Sequence, residues 1–463
     1  MPIRRSLSLA LILPLASPLA ARADDLAGLA RAYVAERGAE SFGVLHLGVP
    51  SFSRQTGLAC SACHYQFLSL TPFGRAFKLN GYTLTAQTTI QERDPANGAT
   101  LKLSPIPLVS GMLQSSLTHL SDDVPGVQNS SVALPQQLSV FVAGELSSRI
   151  GLFSQITYAG ENGTIGVDNI DLRFARPAGG AGLVYGLTLN NNPSVSDLWN
   201  TTPVWGWPYA SSAAGVAPLA GTVIDGALAQ QSLGLGAYTM VRDLVYAEFD
   251  VYRSAEQGKV APDTASANTV SGVAPYWRVA LQKEWGRTYA MVGTYGLRTK
   301  LLPAGVTGPG NTFTDVAVDA QVEERVGHGT LIGRGTYIHE KQRLDATFPD
   351  GGSSNAENTL RTLRLNSTYA PHPWLGLTAG YFQTSGTPDP TLYPAAPVEG
   401  SVTGSPKTNG FIGELDVNPW QNTRLGVQYV AYDRFNGRGN NYDGAGRDAS
   451  GNDQLYLLAW VVF

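Results

Sequence analysis

The chain has 463 residues, with 36 acidic against 32 basic side chains, a net charge of −4 and a pI near 5.9. That balance excludes nucleic acid as a partner and leaves no basic membrane-surface character. Only 15% of residues are charged, where a soluble domain carries about 25%, while glycine reaches 52 and tyrosine 20 at an ordinary hydrophobic fraction of 43%.

The N-terminus reads as a secretory signal peptide. Arg4 and Arg5 form its positive start, Leu7 to Leu19 its apolar centre, broken by Pro14 and Pro18, and "ARA" (Ala21 to Ala23) its small-x-small cleavage site. Residues 1–23 are therefore set apart from the fold, with cleavage expected after Ala23. The apolar run is too short and too broken to remain as a span, and no later stretch reaches the roughly 18 apolar residues of a transmembrane helix. Leu26, Leu29, Ala30, Tyr33 and Val34 then recur at helical spacing, and Gly38 can end that helix.

Both cysteines of the chain follow, in "CSACH": Cys60, Cys63 and, directly behind them, His64. Cys-x-x-Cys-His is the pattern of covalent haem c attachment. The two thiols are spaced for the two vinyl groups, and the histidine stands where it can bind iron. The competing reading is an oxidised or redox-active dithiol in a secreted protein. With six histidines in 463 residues, a chance histidine at that position is about a one-in-77 event, and the strand-then-helix context of a thioredoxin motif is absent. A polar stretch, "QERDPANGAT" (Gln91 to Thr100), reads as a linker.

From about residue 105 the period becomes two. In "TDVAVDAQVEE" Val316, Val318, Ala320 and Val322 alternate with Asp315, Asp319 and Glu323, and "DLVYAEFDVYR" and "VDNIDLRFAR" repeat the pattern. Such segments lie near 106–119, 135–145, 149–159, 167–176, 182–191, 229–239, 243–253, 273–285, 287–300, 312–325, 329–342, 358–370, 374–386, 406–417, 421–433 and 453–463. Their connections alternate long and short nearly throughout, as the extracellular loops and periplasmic turns of an outer-membrane barrel do. "LYLLAWVVF" closes the chain on Phe463, an aromatic end like the insertion signal of such barrels. The expected fold is an all-β transmembrane barrel of about sixteen antiparallel strands with a small, partly helical N-terminal haem c segment. Residues 24–100 form that segment and 101–463 the barrel, in the outer membrane of a Gram-negative bacterium. The haem segment is expected in the periplasm or inside the lumen.

By alternation, Met112 shares the lumenal face with Ser110, Gln114, Ser116 and Thr118, and His119 points away. Met112 is thus one candidate for the distal haem ligand; His46, in the haem segment itself, is the other. The same alternation turns Asp171, Arg173, Glu248, Asp250, Arg278, Asp315, Asp319, Arg334, Arg364, Glu414, Asp416 and Arg424 inward. Their mixed signs predict a salt-bridged interior packed around a plug rather than an ion filter. Trp205, Trp207, Trp277, Trp285, Trp374 and Trp420 are expected as interfacial girdle residues. Asp122, Asp123, Asp433, Asp443 and Asp453 are read as solvated loop acids.

The stretch Pro50 to Leu84, "PSFSRQTGLACSACHYQFLSLTPFGRAFKLNGYTL", resembles the start of the fused outer-membrane cytochrome–porins, whose best-known members are iron-oxidising cytochromes. "RQTG", "CSACH" and "LTPFGRAFK" carry the likeness, and Leu68 departs from it where such relatives have proline. The resemblance implies one covalently bound haem c on Cys60 and Cys63, with His64 on the iron. It implies electrons entering from extracellular Fe(II) and leaving to a periplasmic cytochrome or other soluble carrier. Lipid of the outer membrane is the remaining partner. An electron conduit with another donor or acceptor, or a haem-plugged diffusion porin, are the alternatives.

Overall fold

The computed structural model describes residues 49–463 except 68, 87–89, 94–95, 97–99, 162, 179–181, 202–214, 227, 229–230, 256–268 and 304–306. The signal peptide, the Leu26–Gly38 helix, His46, Leu68, Trp205 and Trp207 lie outside the described residues.

Sixteen strands make the wall: β1 Val109–Leu120, β2 Val132–Ser147, β3 Ile150–Ala159, β4 Thr164–Ala178, β5 Leu183–Asn190, β6 Ser232–Val241, β7 Val245–Ser254, β8 Ala274–Trp285, β9 Thr288–Leu302, β10 Asn311–Val326, β11 Gly329–Arg343, β12 Glu357–His372, β13 Leu375–Gly386, β14 Thr408–Trp420, β15 Thr423–Arg434 and β16 Gln454–Val462. Each pairs antiparallel with the next, and β16 returns to β1 from Gln454↔Leu120 to Val462↔Met112, which closes the barrel. The expected boundaries agree with these to within three residues. A two-residue piece, Thr269–Val270, adds to β9.

Closure leaves no unpaired edge strand, so the wall's backbone ladder is hydrogen-bonded from strand to strand all the way round. Alternation then decides the faces. Along β10, Val316, Val318 and Val322 are exposed outward, while Asp315, Asp319, Gln321 and Glu323 are buried inward. An apolar outside over a polar inside is the pattern that hydrocarbon solvent selects. Among the described residues no helix is long and apolar enough to cross a membrane.

The chain seals itself at one rim. Gly111 and Phe463 exchange backbone hydrogen bonds of 2.7 and 2.9 Å, and a Cβ on Gly111 would stand 2.5 Å from the Phe463 ring. The short turns between β2 and β3, β4 and β5, and every second pair thereafter share this rim, and longer connections occupy the other. The one exception is 159–164 between β3 and β4, which is short although it lies at the far rim. A second difference is local: the stretch read as a linker contains a small ladder, Ile90–Arg93 against Thr100–Leu103.

The described residues of 49–86 occupy the lumen. Helix α1 (Pro50–Thr56) begins on proline and ends at Gly57, whose φ of 69° suits a residue without a Cβ. Helix α2 (Pro72–Leu79) begins on Pro72, with the Thr71 hydroxyl accepting the Gly74 amide at 3.1 Å. Buried bonds fix this plug to strands around the wall. Arg75 pairs with Glu323 on β10, Gln66 with Asp416 on β14, and Tyr82 donates to Asp171 on β4 at 2.6 Å. Tyr65 donates to Glu323 at 2.9 Å, and Tyr238 on β6 to the Leu79 carbonyl at 2.9 Å. A loop with a single helical turn, α3 (Pro193–Ser196), folds inward above the plug and carries the buried Trp199. The expected inward charges are all buried or half-buried, and pair as Arg173–Asp171, Arg278–Asp319, Arg364–Asp225, and Arg424 with both Glu414 and Asp416.

Candidate cofactor site in the lumen

Cys60–Ala62 form one 3-10 turn closed by the Cys63 amide on the Cys60 carbonyl at 3.1 Å. His64 opens a short ladder, His64–Gln66 with Ser69–Leu70. The next residues clamp the motif from behind. The Thr71 hydroxyl donates to the Ala62 carbonyl at 2.5 Å, and the Thr71 amide to the Cys63 carbonyl at 2.9 Å. Gly74 packs so closely that a Cβ there would lie 2.2 Å from the Cys63 carbonyl oxygen. "TPFGR" is therefore a bracket: Thr71 caps and grips, Pro72 starts the helix, Gly74 admits the motif's backbone, and Arg75 ties the whole to Glu323.

The motif faces a cavity inside the lumen. Cys60, Cys63 and His64 line it together with Phe52, Phe67, Phe77, Tyr82, Phe141, Phe153 and Trp460. Plug and wall thus both supply its aromatic surface. The polar members are few: Ser53, Thr56, Lys78 and Asn200.

The electrostatics bear on what the three motif residues can do. Neither cysteine is in a disulfide. Burial, with Cys60 adding to it, pushes Cys63 up to about 12. A redox-active dithiol needs the opposite shift. Burial lowers His64 to about 4, so its imidazole is neutral at physiological pH, and its Nδ1 is buried with no hydrogen-bond partner. A neutral imidazole is the form that ligates metals. Two thiols outside any disulfide, a neutral imidazole and an aromatic lining are a donor set whose chemistry fits a covalently held haem.

Met112 is fully buried on the lumenal face of β1 and packs with Phe141, Tyr456, Trp460 and Val462. Three of these line the cavity, so Met112 stands behind that wall rather than in it. His119 is exposed and bonds Ser130 through Nδ1 at 2.8 Å. Lys78 was not visible as a site residue from sequence; it lies on α2, lines the cavity and donates to the Asp197 carbonyl at 2.7 Å. Its only sequence signal is its place on one helical face with Gly74 and Arg75. Of the loop acids, Asp443 accepts three backbone amides, from Val398, Ala445 and Arg447, and Asp453 accepts the Tyr432 amide at 2.7 Å. Among the described residues no group of three or more His, Cys, Asp or Glu could hold a metal ion. Trp285, Trp374 and Trp420 are exposed at the short-turn rim, as a girdle requires.

No family model matches the sequence, and no curated protein matches it. Solved structures do. A loop-deletion form of OmpT, an outer-membrane protein of Vibrio cholerae, is 12% identical over 77% of this chain and 98% of its own, with a TM-score of 0.44. The outer-membrane channel DcaP of Acinetobacter baumannii is 12% identical over 77% and 96%, also at 0.44. An anion-selective porin from Comamonas acidovorans is 13% identical over 77% and 98%, at 0.43.

Proposed function

We propose that this chain is an outer-membrane barrel that holds one haem c in its lumen and carries electrons across the membrane, from extracellular Fe(II) to a soluble periplasmic carrier. The observation that carries the reading is a Cys-x-x-Cys-His motif held inside a closed barrel, with neither thiol in a disulfide and both lining an aromatic cavity. Cys60 and Cys63 would hold the haem and His64 would ligate its iron; the haem supplies one-electron chemistry. The protein's own part is spatial. The wall crosses about 25 Å of hydrocarbon, and the plug would hold the haem inside the lumen towards the short-turn rim, where Cys60 Sγ lies 3.8 Å from the Gln421 carbonyl. Phe52, Phe141, Phe153 and Trp460 give the site an apolar lining, which raises the influence of every nearby charge. Keeping the oxidation at the outer face also keeps insoluble ferric product out of the periplasm. For the sixth iron position, Met112 and His46 are the proposed ligands; Met112 reaches the cavity only by repacking Phe141 or Trp460.

A diffusion porin is the second reading, because sixteen closed strands suit one. The plug argues against an open pore: it is fixed to β4, β6, β10 and β14 by buried bonds.

Rapid mixing of the purified, oxidised protein with Fe(II) tests the proposal. We expect a c-type α-band that grows on mixing. Absence of any such band under dithionite removes the haem, and a band that dithionite but not Fe(II) produces removes iron as the donor.

A further inference from the structure

The rim that carries the short turns and both ends of the barrel chain is the periplasmic one in a barrel of this kind. Its charge is not evenly spread. Five consecutive hairpins, β2–β3, β4–β5, β6–β7, β8–β9 and β10–β11, each carry one exposed arginine in the turn or within three residues of it: Arg149, Arg176, Arg242, Arg287 and Arg325. Exposed Lys283 adds to them, and Arg54 stands exposed where α1 meets β1, donating to the Val109 carbonyl. The acids on the same arc are Asp243, Glu284 and Glu324, and Glu324 is engaged by Thr288. The two remaining hairpins, with His372 and Trp374 and with Trp420 and Gln421, carry no charged turn residue.

Two further observations separate this arc from ordinary interfacial lysines and arginines. The turns brace one another: the Arg242 amide donates to the Gly182 carbonyl at 2.6 Å, and Arg287 to the Arg325 carbonyl at 3.0 Å. In the β6–β7 turn, Arg242 and Asp243 both sit at φ 53°, a conformation that asparagine and glycine take readily. The motif lies at the same rim: Cys60 Sγ stands 3.8 Å from the Gln421 carbonyl in the β14–β15 turn.

We infer that this arginine arc is the docking surface for a soluble periplasmic protein that presents carboxylates, an acidic electron carrier. The inference rests on the electron-transfer reading for the partner's redox role, and on the arc alone for its charge. A positive rim beside a redox centre raises encounter with an anionic partner and lowers it with a cationic one, by 10-fold or more at low ionic strength.

The test compares wild type with the variant R149Q/R176Q/R242Q/R287Q/R325Q, both in phosphatidylcholine nanodiscs. With the haem reduced, ferricyanide serves as an anionic oxidant and tris(phenanthroline)cobalt(III) as a cationic one, each taking one electron from haem iron. We expect ferricyanide to react faster at low salt with wild type, to slow as salt rises, and to lose about tenfold or more in the variant, while the cobalt complex gains. Binding of poly-L-glutamate to the nanodiscs, which needs no haem, should fall in parallel. Unchanged rates and unchanged polyglutamate binding overturn the inference. So does a variant that, purified in detergent supplemented with phosphatidylglycerol, loses only its retention of that lipid, since the arc would then be a lipid contact. If no haem is present but polyglutamate binding still depends on the arginines, the electron-transfer reading fails and the acidic partner stands.

Discussion

At the scale of single residues, Gly74 and Lys78 carry the sharpest expectations. Gly74 has no room for a side chain against the Cys63 carbonyl. Gly74→Ala should cost about 1–3 kcal/mol, as overpacking does, and lower the yield of covalent haem more than it lowers barrel yield. Equal yields in variant and wild type would show that the bracket does not hold the motif. Lys78 is drawn down to about 8 from 10.5 by burial, with Arg173 beside it adding to the effect. Its amine therefore holds a proton less tightly in the folded protein than in the unfolded chain. Below pH 8 the burial cost is present in full, on the order of 3 kcal/mol. It is relieved as pH rises from about 8 to 10.5, so stability from this group increases through that window. Lys78→Met should abolish the increase, read as the difference between the melting temperatures of wild type and variant across pH 7–11. A parallel pH dependence in both would sink the assignment.

At the scale of elements, the wall and the plug obey different solvents. β10 shows its valines to lipid and its acids to the lumen. Val318→Arg, mid-strand and 52% exposed, should cost about 2–4 kcal/mol, the range for a cation near the bilayer midplane. The loss would appear as a lower urea midpoint in liposomes, with Val318→Ile as the neutral control. The plug answers to ion pairing instead. Arg75→Met leaves Glu323 without its cation in the lumen, a change worth about 3–5 kcal/mol in buried pairs. The plug should loosen, and planar-bilayer recordings should pass from a small steady current in wild type to intermittent openings. Large open currents in wild type itself would favour the diffusion-porin reading.

At the scale of the whole molecule, the order of the wall was legible because lipid imposes a period. Alternation along segments such as Thr314 to Glu324 reports lumen against hydrocarbon residue by residue, so sixteen strands and their faces could be read locally. The motif was legible for a similar reason: Cys60, Cys63 and His64 act as a set within five residues, and their chemistry depends on spacing. What the sequence determined by itself was therefore whatever is periodic or contiguous. Only the tertiary structure decided what is neither. The bracket of Thr71 and Gly74 on the motif's carbonyls, the bonds from Gln66, Arg75 and Tyr82 to strands as much as 350 residues away, and the place of Met112 behind Phe141 and Trp460 have no local signature. They follow from which turns of the barrel the plug meets once the wall has closed, and closure joins residues whose separation along the chain says nothing of their distance in space.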